Sequence, residues 1–289
     1  VRFEEASVHC INKLHRLVPS SQLAMAGGCA LNGVANARIL RETEFISPYL
    51  QPASSDDGTC LGAAYHVWHK ILGSEERFHM GHAFWGPEYS DEQIKKVAEK
   101  SNFLVKKCKN HTELVEDASS LLSKGLVMGW YQGRSEWGPR ALGNRSILAD
   151  PSVQDMKSII NLKIKRRESF RPFAPSVLKE DVSTYFEQEV DSPFMMHVVK
   201  IKPEWQKRLP AITHVDGTGR LQTVDKESNF LYHELISKFK SKTGIGMLLN
   251  TSFNENEPIV DTPQQAYDCF NRTDMDALCL GNYIFQKKK

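Results

Sequence analysis

The sequence predicts a mixed α/β fold of the α+β kind, in two parts. Three observations carry that reading. Short apolar runs alternate along the chain with stretches of helical period. A break at 73–86, with Gly73, Gly81 and Gly86 set among charges, separates a helical beginning from a strand-rich remainder. The length of 289 residues suits about two domains.

Taken in order, residues 2–18 place Phe3, Ala6, Val8, Ile11, Leu14 and Leu17 roughly on one face, which predicts an amphipathic helix. Residues 23–26 predict a short buried strand that ends in Gly27-Gly28 and leads to a helix from about Asn32 to Leu40. Strand, double glycine and helix is a geometry that cradles phosphate on free backbone N–H groups, although a plain strand–helix turn reads the same. Residues 47–57 predict a loop, and Gly58 to Leu72 an apolar helix. After the break, Ser90 and Gln93 have the spacing of a capping box. Strands are then expected at 126–130, 173–178, 195–201, 221–224 and 246–249, with a last single strand over 277–285. Helices are expected at 153–163, 230–240 and 263–271.

Composition narrows the function classes. Apolar residues make up 40% and charged residues 25%, the balance of a soluble globular chain. The formal net charge of +2 gives no global field for nucleic acid or membrane, so neither is expected as a partner and any basic site is local. No apolar run approaches the ~18–20 residues of a membrane span. The six cysteines, at 10, 29, 60, 108, 269 and 279, form no C-x-x-C pair, which favours reduced thiols and a cytoplasmic location. The chain opens on Val1 inside a helical pattern, as a fragment of a longer protein would. A homodimer is the default oligomer.

Four clusters in the second part carry chemistry. GRSEWGPRALGNRSILAD at 133–150 holds Arg134, Arg140 and Arg145 with Asn144, three glycines and a proline. Guanidinium is a planar, permanently charged fork that binds phosphate or carboxylate two bonds at a time. KIKRRESFRPFAPS at 163–176 interleaves Lys163, Lys165, Arg166, Arg167 and Arg171 with Phe170 and Phe173. THVDGTGRLQTV at 213–224 brings Arg220 into a strand after a glycine-rich turn, where His214 and Asp216 read equally as bonding within the turn. LNTSFNENEP at 249–258 ends an apolar strand in amides and hydroxyls. Any one of these reads alone as a solvated face or a satisfied strand end. Together, beside short apolar strands, they predict one crevice for a polyphosphate or acyl phosphate with a nucleotide, the aromatics offering purine a stacking surface. In the first part, Asp56 before Asp57-Gly58 is a candidate ligand for a hard cation or iron, or a helix cap. His66 and His69 read as packing, and no H-x-x-x-H is present.

Six motifs in fixed order, GGCALNGVANARIL, SDDGTCLGAA, EWGPRALGNRSILADP, K-x-x-E-x-FRPFAPSVL, THVDGTGRLQTV and LNTSFN-x-x-x-EPIV, resemble those of the ATP-dependent O-carbamoyltransferases that act on antibiotics and nodulation factors. The resemblance covers nearly the whole chain. It implies the end of an actin/Hsp70-like carbamoyl-transfer domain at 1–72, a linker at 73–86, and an adenylate-forming α/β domain with a mixed sheet at 87–289. It also implies that carbamoyl phosphate and ATP with Mg²⁺ form carbamoyladenylate, and that the full-length enzyme passes the carbamoyl group to a hydroxyl of a small-molecule acceptor. By position, Lys165 and Arg171 are expected on the phosphates of ATP and carbamoyl phosphate, with Arg140 and Arg220 completing the clamp. Asn144, Asn250, Ser252 and Asn254 are expected to bind ligand, and Gly27, Gly28 and Asn32 match a nucleotide-contact loop. Asp56 matches a metal-ligand aspartate for Fe²⁺, but the family's H-x-x-x-H pair is absent, so no iron is expected in this fragment. A threonylcarbamoyl-type enzyme acting on tRNA, and a nucleotide sensor without chemistry, remain the alternatives.

Overall fold

The computed structural model describes residues 1–46 and 48–287. Ser47, within the loop expected at 47–57, lies outside the described residues. The fold is mixed α/β, built around a large mixed sheet.

The first 72 residues hold little sheet. Helix α1 (Arg2–Leu17) buries none of its residues completely; Val8 and Ile11 lean on Leu23, Ile39 and Phe45, whereas Leu14 and Leu17 face solvent. Strand β1 (Ala24–Met25) pairs in parallel with β2 (Tyr49–Leu50), and this two-stranded ribbon is the only sheet of the segment among the described residues. The strand expected at 23–26 is therefore shorter and more open than its apolar letters suggest, since a ribbon edge buries only Leu23 of the four. Helix α2 (Gly33–Glu42) begins after a 3-10 turn at Gly28–Leu31. The apolar helix expected over 58–72 forms as α3 (Thr59–His66) continued by a π-turn at Val67–Ile71, and Trp68, Ile71 and Leu72 lie exposed on it.

Residues 73–86 carry neither helix nor strand, yet they are not a free tether. Met80 and Ala83 are buried, and the Trp137 and Gly86 N–H groups bond the carbonyls of Ala83 and Ser135 across to the loop at 133–144.

Helix α4 (Asp91–Glu99) starts on the expected capping box: Ser90 Oγ accepts from Gln93 N–H, and Gln93 Oε1 accepts from Ser90 N–H at 2.9 Å. There follow β3 (Leu104–Lys107), α5 (His111–Leu122), β4 (Met128–Tyr131), β5 (Arg145–Ala149), α6 (Met156–Ile159), β6 (Ala174–Leu178), α7 (Val182–Tyr185), β7 (His197–Lys200), α8 (Pro203–Gln206), β8 (Thr218–Val224), α9 (Phe230–Thr243), β9 (Met247–Ser252), α10 (Pro263–Arg272), β10 (Ala277–Leu280) and β11 (Tyr283–Gln286). These strands form one nine-stranded sheet in the order β3-β11-β10-β4-β5-β9-β6-β8-β7. β4/β10 and β6/β8 run parallel and the other pairs antiparallel.

The apolar run after the arginine-rich loop is β5, buried along its whole length between β4 and β9. The single strand expected over 277–285 is a hairpin instead, because Gly281 takes φ of 53° and turns the chain. The core lies under the middle of the sheet, where Trp130, Phe239, Phe253, Phe270 and Phe285 are fully buried. At about 1.5–3 kcal/mol for each large apolar side chain, most of the stability resides in this part.

Candidate active site: a polar strip beneath the arginine loop

Three strands carry polar side chains on one sheet face. Gln222 on β8, Ser176 on β6 and Asn250 on β9 are buried and bonded together: Ser176 Oγ donates to Gln222 Oε1 at 2.5 Å, and Asn250 Nδ2 reaches both at 3.0 Å. Asn250 Nδ2 also donates to the Ala141 carbonyl at 3.1 Å and Gln222 Nε2 to the Leu142 carbonyl at 2.8 Å, which seats the loop at 133–144 on the strip. Asn250 Oδ1 is left buried and unpartnered.

The loop spends most of its polar groups on its own shape. Glu136 Oε1 accepts the N–H groups of Leu142, Asn144 and Arg145 at 2.7, 2.8 and 3.2 Å. Arg145 is wholly buried, donates to the carbonyls of Gln132, Gly133 and Asn144, and lies 3.6 Å over the Tyr131 ring. Arg134 donates to the Gly86 carbonyl at 3.1 Å. Asn144, expected to bind ligand, donates to the Arg134 carbonyl and accepts from Asn229 instead.

Of the three loop arginines, only Arg140 is left over. Its guanidinium makes no hydrogen bond among the described residues, its Nε being buried like that of Arg145, and burial lowers its pKa with no carboxylate to offset it. Arg220 precedes Gln222 by two residues on β8, so it projects from the same face. Burial, together with the charge of Arg140, pushes the Arg220 guanidinium down to about 10. Two desolvated cations held near each other without an acid are costly unless an anion joins them. The His214 and Asp216 side chains do bond within their turn, both meeting Thr218.

Lys165 occupies the other end of the strip. Its ammonium is buried and lies 2.5 Å from the Ser252 carbonyl, 3.1 Å from Ser252 Oγ, 2.9 Å from the Asn254 carbonyl and 2.6 Å from Asn254 Oδ1. Burial and the nearby Arg167 push it down to about 7. Three protons facing four acceptors leave none over for a phosphate in this arrangement. Lys165, Ser252 and Asn254 thus meet, as the sequence suggested, but as one closed cluster. Arg171 does not join them: its guanidinium is at the surface, 3.0 Å from Glu168.

Part of the expected cradle in the first segment is already occupied within the fold. The Gly27 N–H bonds the Ser54 carbonyl at 2.6 Å, the 3-10 turn from Gly28 intervenes, and Asn32 Oδ1 caps α2 by accepting from Val34 and Ala35. Asp56 sits in a 3-10 turn without a side-chain cap. Among the described residues no group of three or more His, Cys, Asp or Glu is placed to hold a metal ion. A lone exposed carboxylate does not fit iron, which needs several ligands.

With the geometry in hand, two family signatures match: "Carbamoyltransferase N-terminus" over residues 2–65 and "Carbamoyltransferase C-terminus" over residues 119–287. The chain belongs to the carbamoyltransferase family. A relative of this carbamoyltransferase-family chain, nodulation protein NolNO of Sinorhizobium fredii, is 41% identical over 99% of the chain and 42% of the relative. The 3'-hydroxymethylcephem-O-carbamoyltransferase of Amycolatopsis lactamdurans is 34% identical over 82% of the chain and 43% of the relative. The chain spans about half the length of the curated relatives it matches. Among solved structures, Escherichia coli YciO covers 61% of the chain and is itself covered to 80%, at a TM-score of 0.41 and 16% identity. No helix among the described residues is long and apolar enough to cross a membrane.

Two members of the strip, Gln222 and Ser176, were missed by sequence reasoning although both stand inside the quoted motifs. Their signal was period: Gln222 is two residues from Arg220, hence on its face.

Proposed function

We propose that residues 87–289 form carbamoyladenylate from carbamoyl phosphate and ATP, and that the enzyme containing this chain, with its actin-like transfer segment at 1–72, passes the carbamoyl group to a hydroxyl of a small-molecule acceptor. The observation that carries the reading is the Arg140–Arg220 pair, half-buried without a carboxylate and set beside buried amides. The two substrates together are strongly anionic, and guanidinium forks are suited to phosphate oxygens.

In balanced form, water releases inorganic phosphate from carbamoyl phosphate and leaves carbamate. A carbamate oxygen then attacks the α-phosphorus of ATP, and pyrophosphate departs. Arg140 and Arg220 bind and orient the phosphates and hold the charge that develops on their oxygens. Asn250 Oδ1, unpartnered in the strip, accepts from a ligand N–H such as the carbamoyl amide. Lys165 shapes the floor by tying Ser252 to Asn254. Mg²⁺, when bound with ATP, would supply neutralising charge to its phosphates alongside Arg140 and Arg220. The family membership and the name of the cephem relative support a hydroxyl acceptor.

The test is ATP–pyrophosphate exchange by this chain with and without carbamoyl phosphate. Exchange that depends on carbamoyl phosphate is expected. Its absence in folded, ATP-binding protein would refute a self-sufficient adenylate site.

A further inference from the structure

Helix α9 carries a second cluster of reactive side chains, apart from the polar strip. His233 and Ser237 stand one helical turn apart on the same face. His233 is 8% exposed, and its Nε2 lies 2.9 Å from Glu180 Oε1 in the 3-10 turn Lys179–Asp181. Its Nδ1 lies 3.4 Å from Ser237 Oγ, a hydroxyl with no other partner among the described residues.

These two contacts fix the neutral ring. An ionised carboxylate only accepts, so the ring proton sits on Nε2 and is donated to Glu180. Nδ1 is then an unprotonated nitrogen facing a serine hydroxyl. A hydroxyl, a base within reach of it and a carboxylate that orients the base fill the three roles of a hydrolytic triad, which is recognised by geometry and not by chain order. The 3.4 Å contact is long, as such contacts are before a substrate tightens them.

Ser237 is half-buried and lines a cavity of about 390 Å³ between α5 and α9, a volume typical of small-molecule sites. None of Arg140, Arg220 and Asn250 lines it. Val115, Phe230 and Leu231 give it apolar surface. The carboxylates on its wall are paired, Glu116 with Lys238 at 2.7 Å and Glu234 with Lys226 at 3.7 Å, so they favour an uncharged ligand. The first turn of α5, with His111 and Thr112, lines the same cavity. Asn110 Oδ1 takes the Glu113 N–H, whereas the N–H groups of His111 and Thr112 meet no acceptor among the described residues. Unspent N–H groups at a helix N-terminus suit a developing oxyanion.

We propose that this cavity is a second active site, in which Ser237 cleaves a neutral carboxylic ester with a small apolar acyl group. Ser237 Oγ bonds to the ester carbonyl carbon as its proton passes to His233 Nδ1. The ester C–O bond then breaks, and the alcohol leaves with that proton. Water attacks the acyl carbon and gives a proton to Nδ1. The carboxylic acid departs, and the serine oxygen takes the proton back. Glu180 is the positioning residue: it touches only the histidine and keeps Nδ1 free. The inference stands independently of the adenylate-forming reaction, which uses none of these groups.

The test treats the intact chain with p-nitrophenyl butyrate and with a fluorophosphonate probe, and locates the adduct by peptide mass spectrometry. Expected are an adduct on Ser237 and ester turnover that the adduct blocks. Ser237→Ala should lose both, and His233→Gln should be labelled 10²–10⁴-fold more slowly, the usual worth of a general base. In ¹⁵N-histidine NMR spectra, the His233 signals, identified as those missing from His233→Gln, should show the proton on Nε2. Glu180→Ala should give a mixture of the two ring forms and slower labelling. Thermal melting establishes that each variant is folded. No adduct on Ser237, labelling as fast in folded His233→Gln, or a wild-type ring protonated on Nδ1 would overturn the proposal. An unchanged ring form in folded Glu180→Ala would remove Glu180 from it.

Discussion

A half-buried guanidinium close to another guanidinium is held in place at a cost. Arg140 and Arg220 have that arrangement, and no carboxylate relieves it. Removing either is expected to leave the free protein as stable as before or slightly more so, while abolishing the rise in melting temperature that ATP or pyrophosphate gives. Exchange activity should fall by 10²–10³, about the ~2.7–4 kcal/mol of one charge-stabilising donor. A ligand-induced melting shift that survives in Arg140→Ala would remove this residue from the site. Lys165 behaves differently despite its similar place in the motifs. Lys165→Met orphans the oxygens of Ser252 and Asn254, so it should lose about 1–3 kcal/mol in urea unfolding before any effect on chemistry is read. A Lys165 variant with unchanged stability and no exchange would show instead that its ammonium serves the substrates.

The loop at 133–144 is the element that makes the pair. Glu136 and Arg145 tie it from within, and Gly143 allows its closest approach to α9. Gly143 has φ of 109°, and a Cβ there would stand 2.2 Å from a Tyr232 ring carbon. Gly143→Ala combines backbone strain with overpacking and is expected to cost about 2–5 kcal/mol, read as a lower urea midpoint with loss of ligand-dependent stabilisation. An unchanged midpoint would mean that the loop does not sit on α9 as described. Element boundaries were legible where a local device marks them. The Ser90–Gln93 box opens α4, and α9 begins at Phe230, where the helical pattern puts it. The hairpin at Gly281 was hidden because its two strands are equally apolar, both being buried in the sheet. At Gly27 the local pattern misleads for the opposite reason. Its letters fit, but the Ser54 carbonyl, distant in sequence, takes the N–H.

At the scale of the molecule, buried ionisable groups make stability depend on pH. His197 is held to about 4 against 6.5 for a free imidazole. The unfolded chain takes up a proton between those values and the folded chain does not. Stability should therefore decline as pH falls from about 6.5 to about 4, by roughly 3 kcal/mol from this group, and be unaffected by it above that window. Lys165 acts on the alkaline side: with about 7 when folded against 10.5, it should add stability as pH rises between those values. Urea midpoints from pH 4 to 7 measure the first effect, and His197→Gln should flatten the slope; an equally steep slope in a folded variant would assign it to other groups. The sequence by itself determined the mixed α/β class, the order of most elements, the family resemblance and the neighbourhood of the site, because apolar period, caps and contiguous motifs are local properties. Only the tertiary structure decided which cations are free. Whether an arginine, lysine or glycine N–H is spent or available depends on acceptors distant in sequence, such as Ser54 for Gly27, Gly86 for Arg134 and Asn254 for Lys165, and no local pattern records that pairing.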